Sequence, residues 1–162
     1  MITEGYVSFE TAKLLKEKGF DEKCFQYYVI NCKWDGLPYQ EFAIEFRRLY
    51  SEDEPLINSK GIKCFSEKVN KHCVFAAPTH QMVMKWLREE HHIFISICPE
   101  LNEELIDGNH TGMYQEMLYS FNVGQWGESG WHDIPESSNY MEYSTYEEAC
   151  EVAIKYCLEN LF

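Results

Sequence analysis

Positive charge is scarce in this chain of 162 residues: 14 Lys and Arg stand against 27 Asp and Glu, a net charge of −13. Long apolar runs are missing too. None approaches the roughly 20 residues that a bilayer-spanning helix needs. The opening Met1-Ile2-Thr3-Glu4-Gly5 has neither a basic nor an apolar leader region, so no signal peptide is expected and the cytoplasm is the expected compartment. There is no Gly-x-Ser-x-Gly elbow and no glycine-rich phosphate loop, so neither signature of a nucleophilic or phosphate site is present. Closely spaced Cys pairs of the kind structural zinc requires are absent. Cys64 and Cys73 are nine apart with His72 beside the second, and His91-His92 are adjacent. No metal and no cofactor are therefore expected.

The shortage of positive charge is uneven. Residues 77–162 hold three basic residues (Lys85, Arg88, Lys155) against fifteen acids, a net of −12, whereas residues 1–76 hold eleven against twelve, a net of −1. Such a field repels a phosphate backbone and favours a basic protein surface. The chain is nonetheless no disordered acidic tail, because 45% of it is hydrophobic and 15% aromatic, enough for a packed core. Its length fits one domain, at most two small ones. Seven cysteines, an odd number, are read as reduced thiols that pack as small core hydrophobes.

Local patterns give an order of elements. Ser8 is a candidate N-cap and Gly19 a candidate stop for a helix over Phe9–Lys18. Phe25–Cys32 reads as a strand and Asp35-Gly36 as a type I′ turn. In Tyr39–Tyr50, Phe42, Ile44 and Phe46 alternate like a strand while Phe42, Phe46, Leu49 and Tyr50 repeat like a helix; the preferred reading is a strand leading into irregular structure. Residues 51–61 read as a loop, and Ile62–Phe75 carries a short strand or helical turn. Pro78-Thr79 opens a helix to about Glu90 whose buried face is Met82, Val83, Trp86 and Leu87. Strands are predicted over Ile93–Cys98, Met113–Val123 and Tyr140–Tyr143, with loops between them, the longest over 124–139. Thr145 begins a last helix to about Asn160, with Glu147 and Glu148 in the first turn where the helix dipole favours them. Its apolar face is Tyr146, Ala149, Cys150, Ala153, Ile154, Cys157, Leu158 and Leu161. The expected fold is α+β, a mostly antiparallel sheet with helices packed on one face. It forms a single domain over 1–162, with an N-terminal helix and hairpin (1–76) and an α-β-β-β-α unit (77–162).

That order resembles the double-stranded-RNA-binding domain, over about half the chain. The family grips phosphates with a basic cluster at the start of its last helix. The matching positions here are Thr145, Tyr146, Glu147 and Glu148, where acids would repel the backbone. The segment from Ala77 to Glu90 with His92-Ile93-Phe94-Ile95, and the closing Tyr146-Glu147-Glu148-Ala149 with Ala153-Ile154, resemble recurring stretches in small uncharacterised proteins encoded by phages and prophages of gut bacteria. That resemblance implies an accessory protein acting in the cytoplasm of a bacterial host cell.

The candidate binding residues are Trp126, Trp131 and His132 in the loop 124–139 and Glu147, Glu148 and Glu151 on the last helix. Trp is enriched at binding hot spots, although either indole can instead fold back to cap a sheet edge. Cys98 and the histidines offer no pairing that would assemble a catalytic site. The expectation is thus a non-catalytic accessory protein. Its acidic half engages a basic host protein, as an inhibitor or nucleic-acid mimic, without binding nucleic acid or membrane itself. The alternative is a small-molecule, nucleotide-type binder or minor enzyme with a pocket lined by Trp126, Trp131, His132 and sheet aromatics. In a third reading the charge serves solubility alone.

Overall fold

A computed structural model of the chain describes residues 5–30, 44–48, 74–106, 109–134 and 142–162. The fold is α+β, with two antiparallel three-stranded sheets. The chain divides into two compact units, Met1–Gln81 and Met82–Phe162.

In the first unit, helix α1 (Phe9–Glu17) begins where Ser8 Oγ accepts the Thr11 amide at 3.3 Å. It ends in paired capping bonds, Phe20 N–H to the Leu15 carbonyl (3.0 Å) and Gly19 N–H to the Lys16 carbonyl (3.4 Å). Gly19 sits at φ +89°, the left-handed turn that this motif requires and that a Cβ would penalise. Leu15 and Phe20, brought together by the cap, are both 1% exposed. The sheet has the order β2-β1-β3, with β1 (Gln26–Ile30) paired antiparallel to β2 (Ile44–Arg48) and β3 (Val74–Ala76). Tyr28 lies opposite Phe75, and Phe9 of α1 meets both rings edge-on, at 5.7 and 5.2 Å. The helix thus covers that face. The Lys16 ammonium stands 4.6 Å over the Phe75 ring, where burial holds its pKa below the ordinary lysine value. Within the strand predicted over Tyr39–Tyr50, Ile44–Arg48 is strand β2, and the rest lies outside the described residues. The Asp35-Gly36 turn, the loop 51–61 and the candidate ligands Cys64, His72 and Cys73 lie outside the described residues.

The second unit takes most of α2 (His80–His91), then β4 (Ile93–Ile106), β5 (Asn109–Gly127), β6 (Gly130–Asp133) and α3 (Tyr146–Asn160). The α-β-β-β-α order is present, with two revisions to its strands. First, β4 and β5 are one long hairpin. The stretch after Cys98 is strand rather than loop, and the register closes at Ile106 opposite Asn109 after irregularities near Glu103. Pro99 is compatible with this because it faces Tyr119, whose own N–H and C=O are turned the other way, to Tyr143. The missing N–H of Pro99 therefore points to the outer edge of an edge strand, where no ladder bond is lost. Second, residues 124–133 are not loop: β5 runs on to Gly127 and turns through Glu128-Ser129 into β6. Of the strand expected over 140–143, Tyr143 makes a bridge to Tyr119, while Tyr140 and Met141 lie outside the described residues.

Helix α3 packs on β4 and β5. Its small side chains permit close approach: Ala149, Cys150, Ala153, Ile154, Cys157 and Leu158 are fully buried. They face the side of the sheet that carries Ile93, Phe121 and Val123, which are also buried. Tyr146 departs from the expected buried face. It is 37% exposed and meets Tyr119 edge-on at 6.0 Å. Geometry explains this, since a 15-residue helix is about 22 Å long and a 19-residue strand about 60 Å. The helix runs out near Tyr119, and Met117, one pleat further, is 53% exposed.

The end of α2 is closed by aromatic contacts and by β5. Trp86 stacks on Phe162 at 5.7 Å, and His91 lies 4.4 Å from each ring. His92 turns the chain at φ 57° and its carbonyl accepts the Trp126 amide at 2.9 Å. Thr145 Oγ1 accepts the Glu148 amide (3.1 Å), and Glu148 Oε2 returns to the Ser144 amide (3.2 Å), a reciprocal N-terminal cap for α3.

Thr145→Ala, which removes the first of these bonds, is expected to cost about 1 kcal/mol and to lower the melting temperature by about 2–4 °C. Thr145→Ser should restore most of the loss, and equal melting curves for all three proteins would refute the assignment. Burial holds the His91 pKa below the ordinary histidine value, with Glu90 opposing and His92 adding to the shift. As pH falls, the unfolded chain therefore takes up this proton first. The stability linked to His91 is complete above about pH 6.5 and is lost as pH drops from there through the folded value. Urea unfolding of the native chain and His91→Phe between about pH 8 and about pH 5 should show the variant gaining on the native chain in acid; a constant difference would count against it.

Candidate functional site

The six candidate binding residues fall into two places. Glu147 and Glu148 are exposed in the first turn of α3, and Glu151 is half-buried one turn on. Glu148 is engaged in the cap, so this part of the negative charge has a local folding role. The other three residues lie on the β5–β6 hairpin. Trp126 pairs directly with Trp131 across the strands, while His132 is opposite Gln125. Successive residues alternate between faces of a sheet, so the two indoles share one face and His132 occupies the other. His132 Nε2 is 2.6 Å from Ser129 Oγ at the turn. The structure does not bring His132 into one site with the tryptophans.

The tryptophan face is the one turned away from α3. Along it run Phe94, Ser96, Cys98 and Glu100 of β4, Ser120, Asn122, Gly124 and Trp126 of β5, and Trp131 and Asp133 of β6. Its middle is polar: Ser120 Oγ donates to Glu100 at 2.8 Å, and Asn122 Nδ2 lies 3.8 Å from the Cys98 sulfur. One end is aromatic. Trp126 is 58% and Trp131 45% exposed.

Trp131 is held in place on three sides. Its indole lies across Gly124, where an added Cβ would sit 2.0 Å from Cζ2 of the ring. Only glycine admits that approach. The ring meets Phe94 at 5.4 Å and 65°, edge-to-face, and its Nε1–H donates to Asp133 Oδ1 at 2.8 Å. One indole face is thus spent on the protein while a large part of the ring stays open to water. Phe94, Gly124 and Asp133 were not among the sequence candidates. The available signal was the symmetry of Trp126-Gly127-Glu128-Ser129-Gly130-Trp131, which fits a two-residue hairpin with a tryptophan pair behind it.

Electrostatics reinforce the distinction. The sequence from residue 93 to residue 134, which carries the three strands, contains seven acids (Glu100, Glu103, Glu104, Asp107, Glu116, Glu128, Asp133) and no Lys or Arg. Two of the three basic residues of the second half are engaged on their own helices, Lys85 with Glu89 (3.8 Å) and Lys155 with Glu159 (3.9 Å). The exposed acids lie both on α3 and on the opposite face of the sheet, so they do not gather on one face.

Among the described residues, no group of three or more His, Cys, Asp or Glu side chains converges in the manner of a metal site. The described cysteines are free thiols. Burial, with Glu22 adding, pushes Cys24 up to about 12. Burial pushes Cys150 up to about 11, against a hydrogen bond from Tyr146 and with help from Glu147 and Glu151. Burial likewise pushes Cys157 up to about 12, opposed by a backbone hydrogen bond. Thiols so protonated are poor nucleophiles, in keeping with a packing role. No helix among the described residues is long and apolar enough to cross a membrane. The chain matches no protein-family model, no curated protein and no solved structure.

Gly124→Ala is expected to push the Trp131 ring off the sheet, to break its bond to Asp133 and to cost about 1–3 kcal/mol by overpacking. The indole N–H resonance of Trp131 should shift and exchange faster with solvent, and an unmoved resonance would contradict the placement of the ring.

Proposed function

We propose that this chain is a non-catalytic binding protein that engages a basic protein surface through the tryptophan-bearing face of its β4-β5-β6 sheet. One observation carries the reading: a sheet without a single Lys or Arg exposes two adjacent indoles on the face that α3 leaves uncovered. Exposed, positioned tryptophans are typical anchors of protein interfaces. The surrounding acids steer a positively charged partner and disfavour phosphate. The likeness of Ala77–Ile95 to phage- and prophage-encoded proteins supports a host protein as that partner and an accessory role in the host cytoplasm. The alternative pocket of Trp126, Trp131 and His132 has no comparable support, because the strand register sends His132 to the other face.

The test is affinity capture from a bacterial lysate across a salt series, with the native chain and a Trp126→Leu/Trp131→Leu variant whose charge is unchanged. Basic proteins should be retained at low salt, released as ionic strength passes about 0.15 M, and lost from the variant. Retention that ignores salt, or that is equal on the variant, would sink the proposal.

A further inference from the structure

Resting on that reading, we propose that the open indole face of Trp131, with the Asp133 carboxylate at its rim, is the seat for an arginine side chain of the partner. The ring is already fixed. Gly124 lies beneath it, Phe94 against its edge, and Asp133 holds Nε1 at 2.8 Å. A binding surface that is rigid before the partner arrives loses little freedom on binding. What it offers is a flat, electron-rich face beside a carboxylate that still has acceptor capacity, since Asp133 uses one oxygen on the indole.

Guanidinium suits both parts at once. Its plane stacks on an indole, and its N–H fork reaches a neighbouring carboxylate. It also sheds water more readily than an ammonium group, so lysine is the poorer occupant. Trp126, opposite Trp131 in a close, non-hydrogen-bonded pair and 58% exposed, supplies a second apolar wall for the aliphatic part of the side chain. Competing occupants fit less well. A neutral sugar stacks on indoles but carries no positive charge for the acidic sheet to attract. A second copy would bring the same acidic sheet face against itself.

The test uses the full chain and synthetic probes: an oligo-arginine peptide, an oligo-lysine peptide of the same length, and cellohexaose. Binding is measured by calorimetry and by the indole N–H resonance of Trp131. The arginine peptide should bind roughly tenfold more tightly than the lysine peptide and shift that resonance. Trp131→Leu should abolish the preference and leave weak, salt-sensitive binding of both peptides. Asp133→Asn keeps the ring but removes the charge, and should reduce arginine affinity severalfold. It also serves as the informative variant if Trp131→Leu unfolds.

Equal affinity for the two peptides, or a preference that survives Trp131→Leu, overturns the arginine seat while leaving a basic partner intact. Failure of both peptides to bind at low salt overturns both readings. Tighter binding of cellohexaose, or self-association in sedimentation that disappears in Trp131→Leu, replaces arginine with a sugar or a second copy.

Discussion

The second unit depends on the burial of α3 against β5. That strand is central in the sheet, paired to β4 on one edge and to β6 and Tyr143 on the other. The helix meets it through a face whose side chains are mostly small, and six of them are wholly withdrawn from water. Ala and Cys at these positions set a short distance between helix and sheet, and their burial supplies the apolar driving force. The helix has one apolar face and therefore covers one face of the sheet. The opposite face must be polar or must be covered by something else. It is polar in the middle, with Ser96, Ser120, Asn122 and Glu100, and aromatic at one end.

That aromatic end is not an accident of poor packing. A loosely placed tryptophan would lie wherever it lost most area to water. Trp131 instead lies across Gly124, a residue of β5 at which a ring can rest on bare backbone, and it satisfies its indole N–H with Asp133 two residues on. Fixing a large side chain while leaving it 45% exposed gives up part of the hydrophobic stabilisation that full burial would provide. The same arrangement minimises the freedom lost when another molecule covers the ring. Position, rigidity and exposure together separate this indole from Trp86, which is 8% exposed in the aromatic cluster at the end of α2.

The parts of the fold that were legible in the sequence are those specified by a few adjacent residues. Ser8 and Gly19 bound α1, and Thr145 with Glu148 begins α3, because a cap is a local hydrogen-bonding problem with few chemical solutions. The buried stripe of α3 was legible for the same reason, as a helix repeats every 3.6 residues regardless of its surroundings. Strand lengths were not. Pro99 and the acids after it read as a loop, yet an edge strand tolerates proline and charge on its unpaired side. The glycines at 124, 127 and 130 read as a long flexible connection. One of them makes room for a ring from the next strand, and two flank a two-residue turn. Both misreadings concern tertiary partners, which periodicity along one strand does not reveal.

The same dependence on partners redistributes the meaning of the charge. As composition, the net of −12 on residues 77–162 is a single quantity. In the structure it separates by duty. Glu148 closes the cap of α3 and Glu147 lies in its first turn, where carboxylates favour the helix itself. Glu89 and Glu159 face lysines one turn away on their own helices. On the sheet there is no basic residue to answer the acids at all. Asp133 is the acid that the geometry places against an exposed indole. Charge that is locally answered contributes mainly to the fold and to solubility, whereas unanswered charge beside a rigid aromatic surface is what a cationic partner can use. The relevant quantity for binding is therefore the arrangement around Trp131 and not the net charge of the chain.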